Sequence, residues 1–348
     1  MTPVNPLLGD YSELFMLLAA LTYTIAFLAF TIDLMRAKTI PPEPADVEES
    51  SEQSNRSRLP AQVGAGVEWS HSGTSPRGGS QGNAGTGAAG SSGMGYEPLR
   101  RPAARIGVAV SAIGLLIHLT GVLTRGIAAG RVPWGNMYEF VTTGALMVMA
   151  VFLICLIFRD LRFLGTLITG LVLVMLMAGA IAYPTPVAQL IPALQSYWLI
   201  IHVSIAVLAS AIFTLTFCLS VLQLIKTRQE RAGRPSSSGV MRLIPSAKAL
   251  DQLAYRLNGI GFIFWTFTLM AGAIWAEAAW GRYWGWDTKE VWTFVIWVLY
   301  AGYLHARATR GWEGSRAAWL SITGYLCVVF NFTIVNMYFA GLHSYSGL

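Results

Sequence analysis

Apolar residues gather into eight stretches, at about 12–34, 106–124, 138–158, 163–182, 199–225, 258–277, 290–306 and 318–340, with polar and helix-breaking residues confined between them. Each is close to the roughly 20 residues that an α-helix needs to cross a bilayer. A backbone in lipid must satisfy its own hydrogen bonds, so stretches of this kind are read as helices. The pattern predicts an all-α, polytopic transmembrane helix bundle of about eight helices. The first stretch lacks a basic region before it and a small-residue cleavage site after it, which predicts a retained helix rather than a signal peptide.

The polar intervals divide the chain. Residues 1–40 hold one N-terminal transmembrane helix. Residues 41–105 change character: prolines and an acidic cluster (Asp46, Glu48, Glu49, Glu52) lead into a Gly/Ser-rich tract. Such a segment cannot bury enough apolar surface to fold and predicts a disordered cytoplasmic linker. Residues 106–348 form a membrane domain of seven helices, with a tryptophan-rich loop at 277–290. Elsewhere, Asn136 with Glu139 three residues on is spaced as a helix start, and so is Asp287 with Glu290.

Composition agrees with the pattern and adds an orientation. Only 12% of residues are charged, against about 25% in soluble proteins. The net charge of +6 does not indicate a nucleic-acid partner. With the N-terminus outside and the helices alternating, only Arg125, Arg131, Arg282 and Lys289 of the 24 Lys and Arg lie outside. That asymmetry is the positive-inside signal, and it predicts extracytoplasmic N- and C-termini in a bacterial cell membrane. Cys155, Cys218 and Cys327 fall within predicted helices with no CxxC spacing, so the chain carries no thiol–disulfide chemistry of its own.

Candidate chemistry converges on one face. The stretch Trp280-Gly281-Arg282-Tyr283-Trp284-Gly285-Trp286-Asp287 lies between two spans. Tryptophan and tyrosine collect at any membrane boundary, so these aromatics alone suggest either an interfacial belt or the seat of a flat ligand. Ionisable groups beside spans are costly and are candidates for function. His202, at the outer end of the fifth span, and His343, just past the eighth, reach the level of that loop. Two imidazoles are a common way to hold haem iron at both axial positions. His305 stands 18 residues after Asp287, about 27 Å along a helix, near the opposite boundary. His118 belongs to the outer half of the second span and does not match the depth of His305, which predicts a structural role for it. Arg282 and Lys289 are cations placed to pair with carboxylates of a ligand.

These residues resemble the haem-handling WWD proteins, most closely the CcsA/ResC-type cytochrome c biogenesis proteins of system II (CcsB in actinobacteria). The resemblance is carried by Pro133-Trp134-Gly135-Asn136-Met137-Tyr138-Glu139, Tyr197-Trp198 with His202, Trp280 to Glu290, His305-Ala306-Arg307 and Gly341-Leu342-His343-Ser344-Tyr345. It covers residues from about 106 onward; Thr288 stands where the family commonly has proline. It implies that His202 and His343 ligate the iron of haem b, the transported substrate, at an extracytoplasmic site. Trp280, Trp284, Trp286, Tyr283, Arg282 and Asp287 would surround the porphyrin, and His305 would belong to an inner haem site. It also implies a ResB/Ccs1-type membrane partner, an apocytochrome c substrate, an external thiol-reducing protein, and a place as the haem-handling subunit of a cytochrome c synthase (haem lyase). A membrane cytochrome with permanently bound redox haem is the alternative. An ion- or solute-coupled transporter fits less well, because carboxylates such as Asp33 and Glu277 lie only at the span ends.

Overall fold

A computed structural model describes residues 4–36, 101–190, 194–233, 239–339 and 341–343. The described residues are built from helices: α1 (Pro6–Arg36), α2 (Pro102–Ala129), α3 (Met137–Phe158), α4 (Gly165–Ala182), α5 (Tyr197–Arg231), α6 (Ala247–Trp280), α7 (Thr288–Arg310) and α8 (Ser315–Phe330). A π-helical turn, Asn331–Val335, and a last short helix, α9 (Asn336–Tyr338), extend α8. Among the described residues, seven helical segments are long and apolar enough to cross a membrane, and this is a multi-pass membrane protein. The remaining long helix, α7, is 23 residues long but carries Lys289, Glu290, Arg307 and Arg310 at its ends.

The helices overrun the apolar stretches because caps, and not hydropathy, fix their ends. Pro102 occupies the first turn of α2, where its missing N–H costs nothing, so the predicted linker gives up residues 102–105 to helix. Ser196, Ser246 and Asn136 accept backbone N–H bonds at the starts of α5, α6 and α3. Gly130, Gly281 and Gly311 close α2, α6 and α7 in the left-handed conformation that glycine adopts without steric cost. The tryptophan-rich loop thereby shrinks from the expected 277–290 to Gly281–Asp287. The linker, including Trp69 and His71, lies outside the described residues from 41 to 100, as do Pro192, Ser344 and Tyr345.

The eight long helices form two consecutive sets of four with the same internal packing. In the first, α1 lies along α2, α3 on α4, and α4 returns to α1; in the second, α5 lies along α6, α7 on α8, and α8 returns to α5. Across the sets, α3 packs on α5. The repeat is visible at residue level where the second helix of each set turns into the third. Gly130 (φ 64°) and Gly281 (φ 68°) end α2 and α6. The next residue, Arg131 or Arg282, bonds Glu139 at 2.7 Å or Glu290 at 3.0 Å, eight positions on. The same glutamate accepts a loop backbone N–H, from Gly135 at 2.7 Å and from Gly285 at 2.8 Å. Asn136 and Asp287 are the corresponding N-cap residues.

Candidate haem site between the two four-helix sets

His202 sits one turn into α5, against α6. Its Nδ1 is 3.0 Å from the carbonyl oxygen of Thr268. A carbonyl only accepts, so Nδ1 carries the proton and Nε2 keeps its lone pair. The ring comes this close because residue 272 is glycine; a Cβ there would stand 2.7 Å from His202 Cε1. The Trp275 ring is 5.6 Å away, edge-on.

His343 follows α9. Its Nδ1 lies 2.7 Å from Asp287 Oδ2, and its ring is 4.8 Å from that of Trp280. The carboxylate orients the imidazole as a donor at Nδ1, again leaving Nε2 as the free lone pair. Burial lowers the His343 pKa from its ordinary value; the bond to Asp287 opposes this, and Lys289 adds to the lowering. The ring is therefore held neutral at physiological pH. Asp287 caps α7, as its spacing with Glu290 predicts, and Glu290 bonds back to the Asp287 N–H at 3.1 Å. The tether from Asp287 to His343 is a second duty that the sequence did not disclose.

Both histidines line the same two adjoining chambers, of about 80 and 120 Å³. Tyr283, Trp284, Lys289 and Glu290 border the smaller one. Trp280, Trp275 and Lys289 border the larger one, with Trp134, Met137 and Phe140 from the first four-helix set opposite. The site is thus built from both sets, and the Pro133–Glu139 loop is one of its walls. Phe332, presented by the π-helical turn, borders both chambers and also a larger apolar cavity of about 390 Å³ among α3, α4, α5 and α8. Single π-helical turns of this kind are frequent at functional sites.

The expected aromatics do not make one flat platform. Trp280 faces one chamber and Trp284 the other. Trp286 is 71% exposed, borders neither chamber, and stands perpendicular to Trp284 at 5.9 Å. Its backbone holds a left-handed φ of 57°, rare outside glycine and the kind of local strain that clusters at functional sites. Arg282 is committed to Glu290 and lies over the Trp280 ring. His305 lies on an exposed face toward the other end of α7, apart from the described chambers. Its neighbour Arg307 is an anchor there, bonded to Asp251 at 2.7 Å beside Gln223. His118 is buried between α1 and α2 with its Nδ1 3.4 Å from the Tyr23 hydroxyl, as a structural histidine would be.

The donor set fits haem. Two neutral imidazoles have their Nδ1–H groups engaged by a carbonyl and a carboxylate, the usual support for metal-ligating histidine. Trp275, on the wall of the larger chamber, has its Nε1–H buried without a hydrogen-bond partner. Trp275 carried no role in the sequence reading, although it lies five residues before Trp280 on the same helix.

Comparison with known proteins identifies the family. The chain matches the family described as "Cytochrome C assembly protein" over residues 134–343. It belongs to that family, in its CcsA-type branch. "Cytochrome c biogenesis protein CcsA" of Chlamydomonas reinhardtii is 37% identical over 247 residues, covering 69% of this chain and 67% of the relative. The protein of the same name from Synechococcus elongatus is 34% identical, covering 69% of this chain and 87% of the relative. A solved structure, "Cytochrome c Heme Lyase CcmF", shares the fold with a TM-score of 0.56 at 13% identity, over 95% of this chain. The chain spans about half of that protein, 47% of its length. Membership in this family assigns the chain to cytochrome c biogenesis.

Proposed function

We propose that this protein receives haem b and presents it, held by His202 and His343, for attachment to apocytochrome c. The observation that carries the reading is the matched pair of imidazoles, each with Nδ1–H engaged and Nε2 free, on shared chambers walled by tryptophans. Haem is the substrate here. Each of the two thiols of a CxxCH segment adds across one vinyl group: a C–S bond forms, the thiol hydrogen goes to the other vinyl carbon, and no net oxidation occurs. The thiols must arrive reduced, which calls for the external thiol-reducing protein. The histidine of CxxCH then replaces His202 or His343 on the iron, releasing the product.

Each chamber is smaller than the roughly 300 Å³ at which small-molecule sites begin. Haem therefore enters by parting the loop Gly281–Asp287 from the first four-helix set, and the exposed Trp286 lies on the part that moves. The positive-inside pattern supports a topology with this loop and both termini outside the cytoplasm. His305, exposed on α7, belongs to an inner site completed by a ResB/Ccs1-type partner, on the route haem takes across the membrane.

The test replaces His202, His343 and His305 separately by Gly in full-length protein purified with its partner. The His202 and His343 variants should lose the bis-histidine haem spectrum and regain it with added imidazole, and cytochrome c assembly should fall in parallel. Unchanged haem content in both outer variants would overturn the site. Haem that stays bound with no effect on cytochrome c assembly would favour a resident redox cofactor.

A further inference from the structure

Two cations of the tryptophan-loop region stand in different states. Arg282 is neutralised by Glu290 at 3.0 Å. Lys289 is not: among the described residues its ammonium meets the amide oxygen of Asn336 at 2.6 Å and no carboxylate within salt-bridge distance. The two nearest acids in sequence are engaged elsewhere: Glu290 by Arg282 and the Gly285 and Asp287 N–H groups, and Asp287 through its Oδ2 by His343. An ammonium has three donors, and holding a half-buried one without a counter-charge is costly. Lys289 nonetheless borders both chambers, lying 5.8 Å over the ring of Phe332. A second, independent donor belongs to a residue on the wall of the larger chamber: the Trp275 Nε1–H is buried and without a partner. A cation without a counter-charge and an N–H without a partner, on residues of one wall beside the two imidazoles, define a site for a carboxylate.

We infer that Lys289 and Trp275 bind a propionate of the porphyrin, setting which way the macrocycle faces between His202 and His343. This rests on the haem-ligation reading above and adds an orientation to it. Haem has its two propionates on one side and its two vinyl groups toward the other. Anchoring a propionate on the wall of α6 and α7 directs the vinyl edge away from it, toward Trp134, Met137 and Phe140 of the first set. The thiols of the apocytochrome must then approach from the side of the Pro133–Glu139 loop. Lys289 and Trp275 act as positioning residues: they hold the substrate and leave the bond-forming step to thiols and vinyls.

The experiment compares haemin with its dimethyl ester, in which both propionates are neutral, on detergent-solubilised full-length protein. Affinity is read from the bis-histidine Soret band. The unaltered protein should bind the diacid about ten-fold or more tightly than the diester, the effect of losing one charge-assisted hydrogen bond. Lys289→Met should weaken diacid binding by a similar factor and leave diester binding unchanged, abolishing the discrimination. Lys289→Arg should restore most of it, and Trp275→Phe should remove a smaller part. If Lys289→Met weakens diacid and diester equally, the lysine serves only to hold Asn336 and the inference fails. If the unaltered protein binds both equally well with a bis-histidine spectrum, the propionate site is wrong while haem ligation stands. Absence of the bis-histidine spectrum with either ligand would overturn both.

Discussion

Asp287 illustrates how one side chain couples fold to chemistry. It begins α7, and the same carboxylate fixes the tautomer and direction of His343. Asp287→Ala should therefore cost haem affinity roughly 10–100-fold, the usual effect of removing a metal ligand's supporting partner, while far-UV circular dichroism stays unchanged. The pH dependence gives a second signature. The His343 pKa is lowered by burial and partly restored by Asp287. A histidine whose folded pKa lies below its unfolded value of about 6.5 binds as a neutral ligand above that range. Haem affinity then persists below pH 6.5 and is lost as acidification passes the lowered pKa. The histidine's contribution to stability runs the same way, because the unfolded state takes up protons first as pH falls. Removing Asp287 removes the hydrogen bond and negative charge that raise the His343 pKa, so the bend in affinity against pH moves to more acid values even as affinity at neutral pH drops. A bend that moves toward neutral pH would contradict the tether.

At the scale of elements, the two Gly-Arg-to-Glu turns share a geometry and differ in burial. Arg125 and Glu139 are both within 1% of full burial, and Arg131 joins them; Arg282 of the second turn is 30% exposed. Glu139→Gln strands two arginine charges in the protein and should cost on the order of 3 kcal/mol. Glu290→Gln leaves Arg282 partly solvated and should lower the unfolding temperature less. Haem content should reverse that order, because Glu290 also holds the Gly285 and Asp287 N–H groups of the tryptophan loop. A thermal melt and a haem spectrum on each variant check both halves of this expectation.

What the sequence disclosed follows the same division. Span number and the N-caps at Asn136 and Asp287 were legible because hydropathy and cap chemistry are local. The convergence of His202 and His343 was legible as a shared membrane level, since alternating spans fix which end each residue reaches. The tether from Asp287, the close approach allowed by Gly272 and the orphaned Trp275 N–H depend on which helices touch, and no local signal carries that. The repeat was present in the spacing of Gly130, Arg131, Asn136 and Glu139 against Gly281, Arg282, Asp287 and Glu290, but it is spread over about 150 residues.

For the whole molecule, the two four-helix sets have unequal roles. The second supplies both proposed iron ligands, the carboxylate tether and the half-buried lysine; the first supplies Trp134, Met137 and Phe140 as the facing wall. The sets meet through α3 on α5, beside the apolar cavity that Phe332 separates from the chambers. Division of labour of this kind predicts the behaviour of separated halves. A fragment of residues 191–348 holds His202 and His343 but leaves the larger chamber open on one side, where water and lipid would compete for the porphyrin face. Expressed alone in membranes it should bind haem weakly and lose it on purification. Co-expressed with residues 1–190 it should recover the bis-histidine spectrum, and Trp134→Ala in the first fragment should undo that recovery in part. Full haem retention by 191–348 alone would show that the facing wall is dispensable, and that haem is held by the second four-helix set without help from the first.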